Sequence, residues 1–216
     1  IKVCGMSLPG QLEALPGLGV DMVGLIFYER SPRYAIPLLN PLAIPQDSRL
    51  KRVGVFADAG DAFIKDCCQK FSLQMVQLHG NEDPQFCREL QEAVKVIKAF
   101  RVDDNTDIQK LQQLYKNSCD YFLFDTGGDK PGGSGKKFNW QVLLKQKIER
   151  SFFLSGGIGP DDVDAVIDFA KHRNATNLFA VDINSRFETG FAVKDMNAVK
   201  HFVDALKLAW NETYNQ

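Results

Sequence analysis

Eight short runs of β-branched and aromatic residues recur along the chain, each separated from the next by enough sequence for one helix. No other feature narrows the fold so far. The runs fall at 2–4, 22–27, 52–56, 74–78, 94–100, 121–124, 152–154 and 178–181. Most are continuously apolar rather than alternating, as expected of parallel strands covered on both faces. Helical spacing fills the gaps: Ile108, Leu111, Leu114 and Tyr115 fall on one face, as do Val163, Val166, Ile167 and Ala170 after Pro160, and Val199, Phe202, Val203 and Leu206 after Asp195, a candidate N-cap. The stretch IPLLNPLAIPQD carries three prolines and predicts a short or broken helix. Strand and helix in strict alternation give a parallel sheet, and eight units predict an α/β, single-domain (β/α)8 TIM barrel over residues 1–216 with short loops. An open doubly wound sheet is the alternative.

Composition bounds the function classes. With 26 basic and 27 acidic residues the net charge is −1, which gives no electrostatic reason to expect nucleic acid or an anionic membrane as partner. No apolar run approaches the length of a membrane span, and IKVCGM lacks the regions of a signal peptide, so a cytoplasmic protein is expected. The chain begins on Ile1, and a residue or two is expected ahead of it. Five cysteines, Cys4, Cys67, Cys68, Cys87 and Cys119, are odd in number and show no C-x-x-C spacing, so neither a disulfide framework nor a metal site is expected.

In a barrel, the C-terminal ends of the strands converge on one mouth, and chemistry belongs there. Six of the eight runs deliver polar or glycine residues at that end: Cys4-Gly5, Arg33, His79, Asp125, Ser155-Gly156-Gly157 and Asp182. GGSGKK fails as a P-loop, because Lys130 and Lys137 stand where Gly and Ser or Thr are required. LSGGIGPDD places Gly156 and Gly157 between the seventh strand and a helix, where backbone N–H groups approach a phosphate in this barrel class, although a tight turn needs the same residues.

Each polar residue has a structural alternative. Cys4 reads as a small buried hydrophobe or, with a cation to ionise it, as a base. Asp125 follows Phe122-Leu123-Phe124, where desolvation raises a carboxyl pKa toward that of a general acid; capping is its alternative. His79 lines a substrate pocket or caps the helix near Asp83. Arg33 presents a fork suited to a carboxylate or phosphate, or is a solvated loop charge. His172 and His201 fall on predicted helices, and the remaining cysteines on helices or strands.

KVCGM, DMVGLIFYERSPRYA, KRVGVF, VQLHGNED, FLFDT, GGSGKKFNW, LSGGIGP and AVDINSRFE, in this order and over nearly the whole chain, resemble the phosphoribosylanthranilate isomerase family of tryptophan biosynthesis. The resemblance implies a (β/α)8 barrel without cofactor that converts N-(5′-phosphoribosyl)anthranilate to 1-(2-carboxyphenylamino)-1-deoxyribulose 5-phosphate, acting as monomer or homodimer on a small phosphorylated substrate. It implies that Cys4 is the general base at C2′ and Asp125 the general acid at the ring oxygen. Arg33 and His79 then bind the anthranilate end, and Gly156, Gly157, Asp182, Asn184 and Ser185 surround the phosphate. Arg186 and the segment ETGFAVKD depart from the family, which carries Gly at the first position and Pro-Gly within the second. The glycine-rich residues 127–137 are expected to form a mobile loop that brings Lys136 or Lys137 over the mouth. The alternatives are another phosphate-binding barrel enzyme and a sugar-phosphate binding barrel without catalysis.

Overall fold

The computed structural model describes residues 1–44, 47, 49–126 and 138–214. Eight parallel strands close into one barrel in sequence order. They are β1 (Lys2–Cys4), β2 (Met22–Ile26), β3 (Lys51–Phe56), β4 (Met75–Leu78), β5 (Lys95–Val102), β6 (Tyr121–Thr126), β7 (Phe152–Leu154) and β8 (Leu178–Ile183). Closure is made by β1 beside β8, with Lys2 opposite Asp182 and Val3 opposite Ile183. The sixth and eighth strands run past the sequence expectation, so Asp125 and Asp182 lie within strands rather than after them.

The helices are α1 (Pro9–Ala14), α2 (Asp61–Phe71), α3 (Pro84–Gln91), α4 (Ile108–Tyr115), α5 (Gln141–Leu144), α6 (Val163–Lys171) and α7 (Met196–Tyr214). Their starts follow local chemistry. Asp83 accepts from the Phe86 N–H at 2.8 Å and Asp107 from Lys110 at 3.0 Å, while Asp195 caps α7 through Ala198 at 3.0 Å. Among the described residues of the proline-rich stretch the only helical element is a 3-10 turn, Pro41–Ala43, because each proline removes a helical donor. One expectation fails: Leu114 is 55% exposed, so the buried face of α4 is carried by Ile108 and Tyr115. After β8 comes a 3-10 turn, Ser185–Phe187, and an unforeseen hairpin, β9 (Glu188–Gly190) and β10 (Val193–Lys194). Among the described residues no helix is long and apolar enough to cross a membrane.

Strand pleating divides the burial into two cores. Val3, Val23, Phe56, Val76, Phe122, Phe124 and their neighbours point outward against the helices. Met22, Val53, Met75, Ile97, Leu123, Phe153 and Ala180 point inward and fill the lower barrel. Successive side chains take opposite faces, so a step of two along any strand climbs the interior.

Candidate active site

The two-residue step places the polar groups. Above Lys2 on β1 stands Cys4; above Gln77 on β4, His79; above Leu123 on β6, Asp125; above Asp182 on β8, Asn184. Cys4, His79, Asp182 and Arg33 are all buried. Gly5 has φ +73°, and a Cβ there would sit 2.6 Å from Arg33 Cδ and 2.8 Å from Asn184 Oδ1, so only glycine lets these two side chains close on the base.

Asp125 Oδ2 lies 3.3 Å from His79 Nε2, a contact short enough for strong electrostatics but loosely aligned as a hydrogen bond. Gln77 Nε2 stands 3.3 Å from the other ring nitrogen. With the Gln77 amide donating to Nδ1, the imidazole proton is held on Nε2, facing Asp125. Burial pushes Asp125 up, but His79, the Thr126 N–H and Lys2 together more than offset it and hold the carboxyl below its ordinary range. This reverses the sequence expectation: Phe122 and Phe124 face the helices, not Asp125, and the group is a carboxylate. Cys4 has the cations it was expected to need, Lys2 and Lys194, yet burial and Asp182 outweigh them and its thiol is pushed up. The thiol rests protonated.

Arg33 is not a free fork. Its Nε and Nη2 donate to the two carboxylate oxygens of Glu188 at 2.8 and 2.7 Å. That locks the guanidinium, with Nη1 outside the pair. Lys194, also buried, donates to Glu188 Oε1 at 2.6 Å and Asn184 Oδ1 at 2.7 Å. Phe191, 73% exposed on the β9–β10 hairpin, covers the guanidinium with its ring centroid 5.6 Å from Cζ. Ile26, Tyr28, Arg33, Val55, His79 and Asn184 line a cavity of about 40 Å3 beside this cluster.

Asp182 corrects a second expectation. It accepts from Lys2 Nζ at 2.9 Å, fully inside the barrel, and so neutralises a lysine beneath Cys4 instead of meeting an anion. The remaining phosphate candidates lie on the segments after β7 and β8. Gly156 and Gly157 follow β7 with φ +89° and +69°, and Gly156 is packed so closely on Thr126 that a Cβ would meet its Oγ1 at 2.6 Å. Asn184 and Ser185 begin the turn after β8, and Arg186 reaches back over Gly159, 3.2 Å from where its Cβ would be. These backbone donors and one guanidinium suit a phosphate monoester. The expected loop of residues 127–137, with Lys136 and Lys137, lies outside the described residues.

Four residues of this site were not singled out in the sequence: Lys2, Gln77, Glu188 and Lys194. The first two carried a signal, since a polar residue two positions before Cys4 and before His79 shares their inward face. Glu188 and Lys194 sit on strands of three and two residues that periodicity does not register.

The family model described as N-(5′phosphoribosyl)anthranilate (PRA) isomerase matches residues 1–205. The N-(5′-phosphoribosyl)anthranilate isomerase of Phocaeicola vulgatus is 40% identical over 96% of this chain and 97% of its own. Monomers generated from the dimeric isomerase of Thermotoga maritima superpose with a TM-score of 0.77 at 30% identity, covering 95% of this chain and 97% of theirs. An isomerase bound to reduced 1-(o-carboxyphenylamino)-1-deoxyribulose 5-phosphate superposes with a TM-score of 0.75 at 28% identity over 95% and 97% of the two chains. Fold, strand-end chemistry and sequence agree, and the chain belongs to the N-(5′-phosphoribosyl)anthranilate isomerase family.

Proposed function

We infer that the chain converts N-(5′-phosphoribosyl)anthranilate to 1-(2-carboxyphenylamino)-1-deoxyribulose 5-phosphate, with Cys4 as base and Asp125 as acid. The observation that carries this reading is the convergence of Cys4 and the Asp125–His79 pair at the upper end of one barrel interior, on strands that face each other across it. Asp125 protonates the furanose ring oxygen, the C1′–O bond breaks, and the anilino nitrogen supplies the electrons of a Schiff base. Cys4 as thiolate takes the C2′ proton, the C–H electron pair becomes the double bond of an enolamine, and tautomerisation gives the ketone. Protons move and no electrons leave the substrate.

Cys4 and Asp125 each stand one proton away from the form this chemistry uses. Substrate in the mouth excludes water from Asp125 and strengthens the burial that already pushes it up, so the acid form belongs to the complex rather than to the free enzyme. The Nη1 edge of Arg33 takes the anthranilate carboxylate, with His79 beside it. Gly156, Gly157, Asn184, Ser185 and Arg186 hold the phosphate. Two anionic handles at opposite ends of the substrate orient the reacting carbons between Cys4 and Asp125. The whole chain acts as one domain, as a monomer or as a homodimer like the Thermotoga maritima relative.

Product analysis tests the assignment. Incubation with N-(5′-phosphoribosyl)anthranilate is expected to give a compound of unchanged mass that borohydride reduces at a ketone. Recovery of intact substrate, or of free anthranilate alone, from a folded sample contradicts it.

A further inference from the structure

A barrel that buries Lys2 completely, two residues below Cys4 on the same inward face, needs a reason for doing so. A buried ion pair contributes little net stability against apolar residues of similar volume, because both charges lose their hydration. The Lys2–Asp182 pair is nonetheless complete at 2.9 Å. Burial works against the Lys2 ammonium, but Asp182, hydrogen-bonded to it, and Cys4, two residues along on the same inward face, more than restore it, so the group stays charged. One cation thus faces two acids.

We propose that Lys2 is a positioning residue for the base: its ammonium is the counter-ion on which the Cys4 thiolate forms, and Asp182 is the anion that competes with this thiolate for it. The proposal deepens the assignment of Cys4 as base and rests on it. When Cys4 ionises, its proton leaves to water and Lys2 turns from Asp182 to the sulfur. When the thiolate takes the C2′ proton, an S–H bond forms, the C–H electron pair stays with the substrate, and Lys2 returns to Asp182. Lys2 remains protonated throughout. Of the other groups around Cys4, only Lys194 acts on it in the same direction, and more weakly than Lys2. Lys194 on β10 is tied to Glu188 and Asn184, Arg33 to Glu188, and Asp125 and His79 pair with each other. Gly24, Ile26 and Val55 on β2 and β3 are not titratable, and Tyr28 packs beside them as an apolar ring.

The test is alkylation of the folded full chain by iodoacetamide from about pH 6 to about pH 10, with Cys4 followed separately from the other thiols by peptide mass mapping. Asp182→Asn keeps the side-chain shape and frees Lys2 for the sulfur; it is expected to move the Cys4 midpoint down by about one pH unit, a roughly tenfold faster reaction at neutral pH. Lys2→Met is expected to move it up by at least as much, and Lys2→Arg to restore most of the wild-type profile. Asp182→Asn alone decides the matter if Lys2→Met does not fold. A Cys4 profile unchanged by Asp182→Asn would reduce the pair to a structural one and overturn the proposal. Alkylation needs no turnover, so wild-type activity in Cys4→Ser would remove Cys4 as base while the counter-ion relation was still read from the pH profiles.

Discussion

The lower and upper halves of the barrel interior are built by the same strands and differ by a step of two residues. On β6 the step runs from Leu123 to Asp125, on β8 from Ala180 to Asp182, on β4 from Met75 to Gln77. Below it, side chains meet only hydrocarbon, as where Phe153 packs edge-on against Tyr121 at 5.7 Å between ring centroids. Above it, Lys2 pairs with Asp182, Arg33 and Lys194 with Glu188, and His79 faces Asp125, while the proposed base is held protonated and the proposed acid ionised. The lower half supplies rigidity and the upper half stores charge. Because the lower plug fixes the strands, the upper charges keep their spacing without water to screen them.

This division is open to breakage from either side. Cys4→Ser and Asp125→Asn are expected to lower turnover by about 10²–10⁴-fold each, with melting temperatures close to the wild type, since each removes a proton-transfer group and leaves the plug intact. Phe153→Ala is expected to do the opposite. Loss of a buried ring costs about 3–5 kcal/mol of unfolding free energy, read from urea titration, with kcat of the folded fraction preserved. Equal damage to turnover and stability by all three would erase the distinction.

Smaller effects sharpen it within the upper half. Arg33→Gln removes the charge-assisted contact to the anthranilate carboxylate, worth about 1.5–3 kcal/mol, and is expected to raise KM by about 10–100-fold with a smaller change in kcat. Glu188 gives a pH signature. Burial pushes its carboxyl up, but Arg33 and Lys194 pull it further down, below the ordinary 4.5. Its pairing therefore stabilises the fold fully above pH 4.5 and is lost as pH falls through the lowered value. Glu188→Gln is expected to be less stable than wild type at pH 7, by about 2 kcal/mol, and the two should converge in acid. A constant gap across that range in urea titrations would show that Glu188 acts by shape and not by charge.

Most of the architecture was legible because each strand is covered on both faces and reads as an apolar run. The same coverage hid the faces from one another. In KVC or VQLH, continuous burial gives no phase, so Lys2 and Gln77 passed as interruptions until the pleat assigned them to the interior. Asp125 was expected to be raised and is instead lowered, because Phe122 and Phe124 bear on the helices while His79, distant in sequence, bears on the carboxylate. Asp182 was grouped with the phosphate by its neighbours Asn184 and Ser185, yet one step down the strand means facing Lys2 instead. The β9–β10 hairpin, with Ala192 at φ +60°, was beyond propensity altogether.

The most direct test of the account is the fluorescence of N-(5′-phosphoribosyl)anthranilate in the presence of the wild-type chain. The account predicts a saturable loss of fluorescence, faster than spontaneous breakdown of the substrate and abolished in both Cys4→Ser and Asp125→Asn. A folded wild-type chain that leaves the fluorescence to decay at its spontaneous rate would contradict it.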